Sequence, residues 1–125
     1  MDEESIGRAI LDSAMKVHST PGSGLLDSAY EACLAYEIRK TGLQVQTQVV
    51  LPIVYDGQCL DAGYRIDLWI EDAVMVEVKA VEKIMPIHGA QLLSYLRLSK
   101  CKLGFLLNFN VTHMKEGIKR IVNNL

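Results

Sequence analysis

The sequence lacks the cysteine patterns, apolar runs and repeats that mark several classes of protein. Its three cysteines (Cys33, Cys59 and Cys101) are widely spaced and include no C-x-x-C pair, so neither a disulfide framework nor a cysteine zinc site is expected. No apolar run approaches the ~20 residues of a membrane helix. The acidic start, Met-Asp-Glu-Glu-Ser, is unlike a secretory signal. These absences predict reduced thiols, a cytoplasmic location and no membrane partner.

Length and charge narrow the possibilities further. With 125 residues, 50% of them hydrophobic, the chain is expected to form a single domain over residues 1–125. Residues 1–78 carry a charge balance of −8, and residues 79–125 carry +6. Solvated faces would explain this asymmetry, and so would an acidic site for cations beside a basic surface for a polyanion. Charge alone does not choose between the two interpretations.

Hydrophobic periodicity predicts a mixture of helices and strands. The helices are expected over residues 4–18, 25–40, 87–99 and about 113–123, and the strands over 45–55, 64–70, 74–80 and 102–109. Pro52 suggests an edge position or a bulge, and Asp56-Gly57 suggests a turn. A strand, a helix and a second apolar strand favour parallel pairing between 74–80 and 102–109. The expected fold class is therefore α/β, with helices flanking a mixed sheet.

The two strands at 64–70 and 74–80 have the most informative alternation. Ile66, Leu68 and Ile70 are expected on one face together with the valines of the second strand, which leaves Asp67 on the opposite face with Glu77 and Lys79. A three-residue loop over 71–73 places Asp67 directly across from Glu77. A two-residue loop shifts the register by one.

Asp67, Glu77 and Lys79 together form a candidate catalytic group. Two carboxylates suit a hard divalent ion such as Mg²⁺, and the main-chain carbonyl of Val78 is a plausible third ligand. Lys79 would then stabilise negative charge on a phosphate or an attacking hydroxide. The alternative interpretation is a cross-strand salt bridge on a solvated face.

Two helical stripes carry further candidates. His88, Gln91 and Tyr95 are spaced to share one face of the helix 87–99, although Gln91 and Tyr95 could simply border the core. A second stripe, on the helix 25–40, contains Asp27, Tyr30 and Glu31. Asp27 could be a first-turn acid that complements the helix dipole, and Glu31 could be a surface acid.

Several motifs, taken in order, resemble those of the GxxExxY proteins, a group within the PD-(D/E)XK nuclease superfamily on its RecB-like and lambda-exonuclease-like side. The resemblance extends from about Ile6 to the end of the chain. The matching motifs are Gly24-x-x-Asp27-x-x-Tyr30-Glu31, Gly63-Tyr64-Arg65-Ile66-Asp67, Glu77-Val78-Lys79-Ala80, Gln91-Leu92-Leu93-Ser94-Tyr95, Leu-Leu-Asn-Phe at 106–109 and Gly-Ile-Lys-Arg-Ile at 117–121.

The resemblance implies a restriction-endonuclease-like α-β-β-β-α-β core with extra helices at both ends. It implies that Asp67 and Glu77 bind the metal, that Lys79 is the catalytic lysine, and that Gln91 and Tyr95 lie beside the scissile strand. The first glutamate of the family motif is replaced here by the shorter Asp27. Glu31 is therefore the preferred helix carboxylate, acting through water.

These observations favour an Mg²⁺- or Mn²⁺-dependent nuclease acting on DNA, with RNA as the alternative substrate, in repair, recombination or defence. The competing hypothesis is a nucleic-acid-binding or assembly module that keeps the fold without the chemistry. A small-molecule hydrolase would need a nucleophile beside a base, and no such motif is present. A homodimer or a partner protein would supply targeting. Phosphate contacts are expected from the basic residues Lys83, Arg97, Lys100, Lys115, Lys119 and Arg120.

Overall fold

Residues 2–61 and 63–125 are described by the computed structural model, and they form a mixture of helices and strands. The helices are α1 (Glu3–Ser19), α2 (Asp27–Lys40) and α3 (Pro86–Ser99). The strands are β1 (Val45–Val50), β2 (Ile53–Tyr55), β3 (Gln58–Leu60), β4 (Arg65–Ile70), β5 (Val74–Lys79), β6 (Leu103–Asn108) and β7 (Ile118–Val122), and a 3₁₀ turn covers Met114–Gly117.

Five of the strands form a mixed sheet in the order β1-β4-β5-β6-β7. The pair β5–β6 is parallel, as the strand–helix–strand pattern predicted, and the other neighbours are antiparallel. The α/β fold class with a mixed sheet is thereby confirmed.

The strand predicted over residues 45–55 is in fact two strands. β1 ends at Val50, and β2 begins at Ile53 after Pro52, which has no N–H to donate to a sheet. β2 then pairs with β3 in a separate hairpin. Its turn is the predicted Asp56-Gly57, and both of these residues have positive φ, as in the turns that fit tight hairpins.

The sheet lies between two clusters of buried apolar side chains. On one face, α1 and α2 cover β5 and β6, and Ile10, Leu34 and Val76 belong to one buried cluster, which we call the α1–α2 cluster. On the other face, Leu92 of α3 and Met75 of β5 belong to a second buried cluster, which we call the α3 cluster. Val76 and Met75 are neighbours in β5 and point to opposite faces, as the period of a strand requires. Within the described residues, no helix is long and apolar enough to cross a membrane.

The prediction of a helix over about 113–123 is wrong. The 3₁₀ turn leads into β7, which pairs with β6. Ile118 packs against the α1–α2 cluster, whereas Ile121 packs against the α3 cluster. A spacing of three places two residues on one face of a helix but on opposite faces of a strand. The free edge of β6 decides between the two structures, because its buried backbone groups need partners.

Candidate active site

The strands β4 and β5 separate where Asp67 faces Glu77. Their paired residues end at Leu68 and Val76, and the register confirms the three-residue loop over 71–73. Continued by one step, the same register places Asp67 opposite Glu77, as the sequence predicted. The main-chain pairing between the two strands does not reach this step.

Side chains replace the missing main-chain pairing at this position. Oε1 of Glu77 accepts a hydrogen bond from the main-chain N–H of Asp67, with a donor–acceptor distance of 3.1 Å. In return, Oδ2 of Asp67 accepts from the N–H of Val78 at 2.8 Å. Each carboxylate is thus held by the backbone of the opposite strand, which fixes both side chains in the gap between β4 and β5. We call this gap the fork.

The pairing of β4 with its other neighbour, β1, is also interrupted at Asp67. The pairing of β1 with β4 includes the residues on both sides of Gln48, but not Gln48 itself with Asp67. Gln48 has a φ of 50°, a left-handed conformation that is rare for a residue other than glycine. Its Nε2 donates to Oε1 of Glu31 at 2.6 Å and to Oδ1 of Asp67 at 3.2 Å. One amide therefore bridges two carboxylates.

Because of this interruption, part of the predicted alternation of side chains between the two faces is wrong. Leu68 and Ile70 lie in the α1–α2 cluster as expected, but Ile66 lies in the α3 cluster. Its partner in β1, Val49, packs against the α3 cluster as well. Both strands therefore change faces at Gln48 and Asp67. A strict period of two holds only while the ladder is continuous, and here it is broken.

The start of α2 brings a third carboxylate to the fork. The ring of Tyr30 is buried and stacks on Phe109, with 4.7 Å between ring centroids. Its hydroxyl donates to the carbonyl of Gly22 at 2.6 Å and accepts from the N–H of Leu25 at 3.1 Å. Tyr30 thus fastens the preceding loop to the helix, a structural role that fixes the position of the neighbouring Glu31.

A small cavity of about 90 Å³ lies at the fork. Its lining residues are Asp27, Ser28, Glu31, Gln48, Asp67 and Val78. Asp27 is exposed at the rim, where its Oδ1 accepts from the N–H of Ser28 at 2.9 Å. The structure therefore brings Glu31 and Asp67 to one cavity and joins Glu77 to Asp67 behind it.

Burial and mutual repulsion raise the proton affinity of the site. Burial, followed by the negative charge of Asp67, raises the pKa of Glu77 to about 8. Burial and then the charge of Asp67 also raise the pKa of Glu31, while the hydrogen bond from Gln48 opposes that rise. The carboxylates of Asp67, Glu77 and Glu31 therefore have too little positive charge around them to balance their own.

Lys79 is near these carboxylates without pairing to them. Its positive charge lowers the pKa of Glu77, although burial and Asp67 outweigh it. In the described part of the chain, no ion pair joins Lys79 to a carboxylate. Glu77 is only 8% exposed. The alternative of a cross-strand salt bridge on a solvated face therefore does not match the structure.

The α3 stripe divides between two roles. His88 takes part in the start of the helix, because its Nδ1 accepts from the N–H of Met85 at 3.0 Å. Gln91 is exposed, and Tyr95 is half-buried one turn later. Burial and then the charge of Glu77 raise the pKa of Tyr95. Tyr95 therefore lies within electrostatic range of the fork, and Gln91 lies beside it on the outer face of α3.

The donor set fits a small, hard cation. Across residues 2–61 and 63–125, no three His, Cys, Asp or Glu side chains are spaced as a complete metal site. Mg²⁺, however, uses only one or two carboxylates and keeps several waters. Asp67 and Glu77, with the raised pKa of Glu77 and a nearby cavity, match that requirement. The oxygen-only donors suit Mg²⁺ or Mn²⁺ better than a metal that prefers sulfur or nitrogen.

The basic residues of the second half do not form one surface. Arg120 contacts α1 through an ion pair with Glu4, in which its Nη2 lies 2.7 Å from Oε1. Lys115 lines a groove beside α1. Lys119 lies on the other face, where its Nζ approaches Gly89 of α3. These basic residues therefore do not all face one phosphate backbone.

Gln48 is the residue at the fork that sequence reasoning missed. Gln44, Gln46 and Gln48 alternate along β1 and its approach, and nothing in the pattern distinguishes the third. Its importance comes from Asp67 on the neighbouring strand and Glu31 on α2, which are distant in sequence. A left-handed residue within a strand is visible only in the structure.

Comparison with known proteins gives one match. A family profile described as the PD-(D/E)XK nuclease superfamily matches residues 4–121, which is nearly the whole chain. No curated protein matches significantly, and no solved structure does so either. The matched range contains the fork, both strands that form it and α3. The chain therefore belongs to the PD-(D/E)XK nuclease superfamily.

Proposed function

We propose that this chain is a metal-dependent nuclease that hydrolyses phosphodiester bonds in DNA, and that it belongs to the GxxExxY group on the RecB-like side of the superfamily. The observation that carries the proposal is the fork, where Asp67 and Glu77 each bind the backbone of the opposite strand beside Glu31. A structural salt bridge would not require Glu31 and Asp67 at one cavity with Glu77 joined to the main chain of Asp67 behind it. We further propose that residues 1–125 act as one domain, in DNA repair, recombination or defence.

Asp67, Glu77 and the main-chain carbonyl of Val78 would hold the cation, with Glu31 acting through water. When bound, Mg²⁺ or Mn²⁺ supplies positive charge that neutralises a phosphate and acidifies water. Cation binding favours the ionised form of Glu77, so the raised pKa of this residue implies that protons leave as the metal enters. Asp67, Glu77 and Glu31 have few positive partners and repel one another. A bound cation would therefore lower the free energy of the folded state.

The chain's own residues have distinct tasks in this proposal. Lys79 places a positive charge beside Glu77, where it stabilises negative charge that develops on the phosphate. Gln91 offers an uncharged hydrogen-bonding group at the surface of α3. Burial and the charge of Glu77 raise the pKa of Tyr95, so its hydroxyl stays protonated and able to donate. These two residues would position the scissile strand.

One observation favours the alternative of a non-catalytic nucleic-acid-binding module. The amide of Gln48 already bridges Glu31 and Asp67, so these carboxylates are partly satisfied by hydrogen bonds without a cation. Such a site would keep the fold while binding metal weakly. Targeting in either case would come from a homodimer or a partner protein, and RNA remains the second substrate to test.

Cleavage assays test the proposal directly. Purified protein with Mg²⁺ or Mn²⁺ is incubated with labelled linear, circular, single-stranded and branched DNA and with RNA. We expect cleavage of DNA that chelator abolishes and that Asp67→Asn reduces more than about a hundredfold. Asp72→Asn is the matched control, because Asp72 is an exposed aspartate in the same hairpin. Equal cleavage by wild type and Asp67→Asn would overturn the assignment.

A further inference from the structure

A groove beside the fork has an unusual lining. It has a volume of about 250 Å³ and lies between the β2–β3 hairpin and α3. Ile53, Tyr64, Ile87, Gln91, Tyr95 and Leu98 line it, and every side chain that the structure places along it is uncharged. Ile87 is 59% exposed and Leu98 is 50% exposed, so an apolar surface is left open to solvent. We call it the tyrosine groove.

Tyr95 links the tyrosine groove to the strand that carries Glu77. It lines the groove and packs against the α3 cluster, which contains Met75, and Met75 and Glu77 lie on the same face of β5. The ring of Tyr95 faces Tyr64. The two ring centroids are 5.5 Å apart and the ring planes are tilted by 57°. Tyr64 is thus held by an aromatic neighbour yet remains 37% exposed. The aromatic pair therefore lies on the face of the sheet that also carries Glu77.

The chemistry of the lining favours one kind of ligand. The outside of a duplex presents phosphates, which need basic partners that the tyrosine groove does not provide. The faces of paired bases are covered by their neighbours in the stack. An unpaired base exposes a flat apolar face, and stacking on an aromatic side chain contributes about 1–3 kcal/mol per base.

We propose that the tyrosine groove binds an unpaired nucleobase of the substrate strand, next to the phosphodiester held at the fork, with Tyr64 as the stacking residue. The substrate is then a single strand or a frayed end rather than an intact duplex. This inference rests on the proposed nuclease function and specifies its substrate class. Tyr64 is a binding residue here and takes no part in the chemistry.

Binding measurements with matched tyrosine variants test the inference. Fluorescence anisotropy is recorded in Ca²⁺, with gels to show that the DNA stays intact. The probes are a single strand of about 12 nucleotides, the same strand with abasic sugars, and the corresponding duplex. The proteins are wild type, Tyr64→Ala, Tyr64→Phe and Tyr36→Ala. Tyr36 is an exposed tyrosine on α2, outside the tyrosine groove.

We expect Tyr64→Ala to weaken single-strand binding about tenfold or more, which corresponds to one lost stacking contact. Tyr64→Phe keeps the ring and should bind like wild type, as should Tyr36→Ala. With the abasic strand or the duplex, Tyr64→Ala and wild type should bind equally. The difference between the base-containing and abasic strands is the signature of stacking.

Three results would overturn the inference. One is that wild type does not bind the single strand, and another is that Tyr64→Ala loses affinity equally for all three probes or for none. The third is that sedimentation shows a wild-type dimer that Tyr64→Ala dissociates, because the tyrosine groove would then be covered by a second copy. Base-dependent binding without cleavage would refute the proposed nuclease activity and support base binding at the tyrosine groove. Cleavage that is independent of Tyr64 would support the nuclease activity and refute base binding at the groove.

Discussion

The parallel pair β5–β6 and the antiparallel pair β4–β5 share a strand, yet they differ in regularity. β5 and β6 are paired without interruption from Val74–Leu103 to Lys79–Asn108. β4 and β5 are paired over only three positions, from Ile70–Val74 to Leu68–Val76. The first pair is the centre of the core, because every residue of β6 is buried. The second opens into the fork.

The difference shows how one strand serves both packing and chemistry. Along β6, β5 has a continuous ladder of paired residues. Along β4, the ladder stops early, and the carboxylates of Asp67 and Glu77 take the freed N–H groups. Charged side chains are thereby held rigidly in a partly buried place. A regular ladder on both sides would have left no gap for them.

The largest expected effect on stability is on the regular side. Leu107 is fully buried in β6 and lies in the α1–α2 cluster. Leu107→Ala should lower the free energy of unfolding by about 2–5 kcal/mol, because it removes buried carbon and leaves a cavity. Urea unfolding measures the loss. Cleavage by the folded fraction should be unchanged, and a loss of cleavage beyond the loss of folded protein would contradict the separation of the two regions.

The next effect concerns the chemistry at the fork. Lys79→Met keeps much of the aliphatic stem and removes the charge, so cleavage should fall about a hundredfold, as when one electrostatic donor is lost. Thermal unfolding should change little, since Lys79 makes no ion pair with a carboxylate within the described residues. Lys102→Met, at an exposed position just before β6, is the control. Unfolding of Lys79→Met would favour a structural role instead.

Glu77 predicts a pH dependence of stability. Its pKa is about 8 in the folded protein against an ordinary 4.5, so between these values the folded state holds a proton that the unfolded state releases. Metal-free stability should therefore fall as the pH rises through this window. Glu77→Gln removes this contribution and should be more stable than wild type at pH 8 by at least about 1.4 kcal/mol, the equivalent of one pKa unit.

Thermal unfolding in chelator from pH 5 to pH 8.5 measures this difference. The other titrating groups contribute to both proteins, so the comparison between wild type and Glu77→Gln isolates the carboxyl group. Parallel curves for the two proteins would show that Glu77 is not held protonated by burial and by Asp67.

The smallest expected effect is at Gln48. Gln48→Met has a similar length but cannot donate to Glu31 and Asp67, so metal-free stability should fall by about 1 kcal/mol. Gln46→Met is the matched control, because Gln46 is exposed on the same strand. Chemical denaturation in chelator measures both variants. Equal stability of the two would mean that the bridging amide contributes nothing to the fork.

The sequence predicted the elements that local patterns determine and missed those that depend on distant partners. The helices α1, α2 and α3 follow from apolar spacing, and the register of Asp67 and Glu77 follows from a short loop. β7 was predicted as a helix because Ile118 and Ile121 fit either period, and the edge of β6 makes the choice. Ile66 was placed on the wrong face because alternation says nothing about a broken ladder.

The candidate site shows the same division. The strand pattern brought Asp67, Glu77 and Lys79 together. The helical stripes drew attention to Glu31, Gln91 and Tyr95, and the family resemblance gave them roles, which stay predictions. Gln48 was not recognised as a site residue, because its contacts come from a strand and a helix that meet only in the fold. A glutamine in an alternating strand has no local signal of function. Tyr64 is part of a family motif, but its contact with Tyr95 is visible only in the structure.

The most direct test of the account is calorimetric titration of Mg²⁺ and Mn²⁺ into wild type and Asp67→Asn. The substitution removes one charge and keeps an oxygen that can accept the N–H of Val78, so the fork should stay folded. We expect wild type to bind a divalent cation with release of protons and Asp67→Asn to lose this binding. Identical titration curves for the two folded proteins would contradict the assignment of the fork as the metal site of a nuclease.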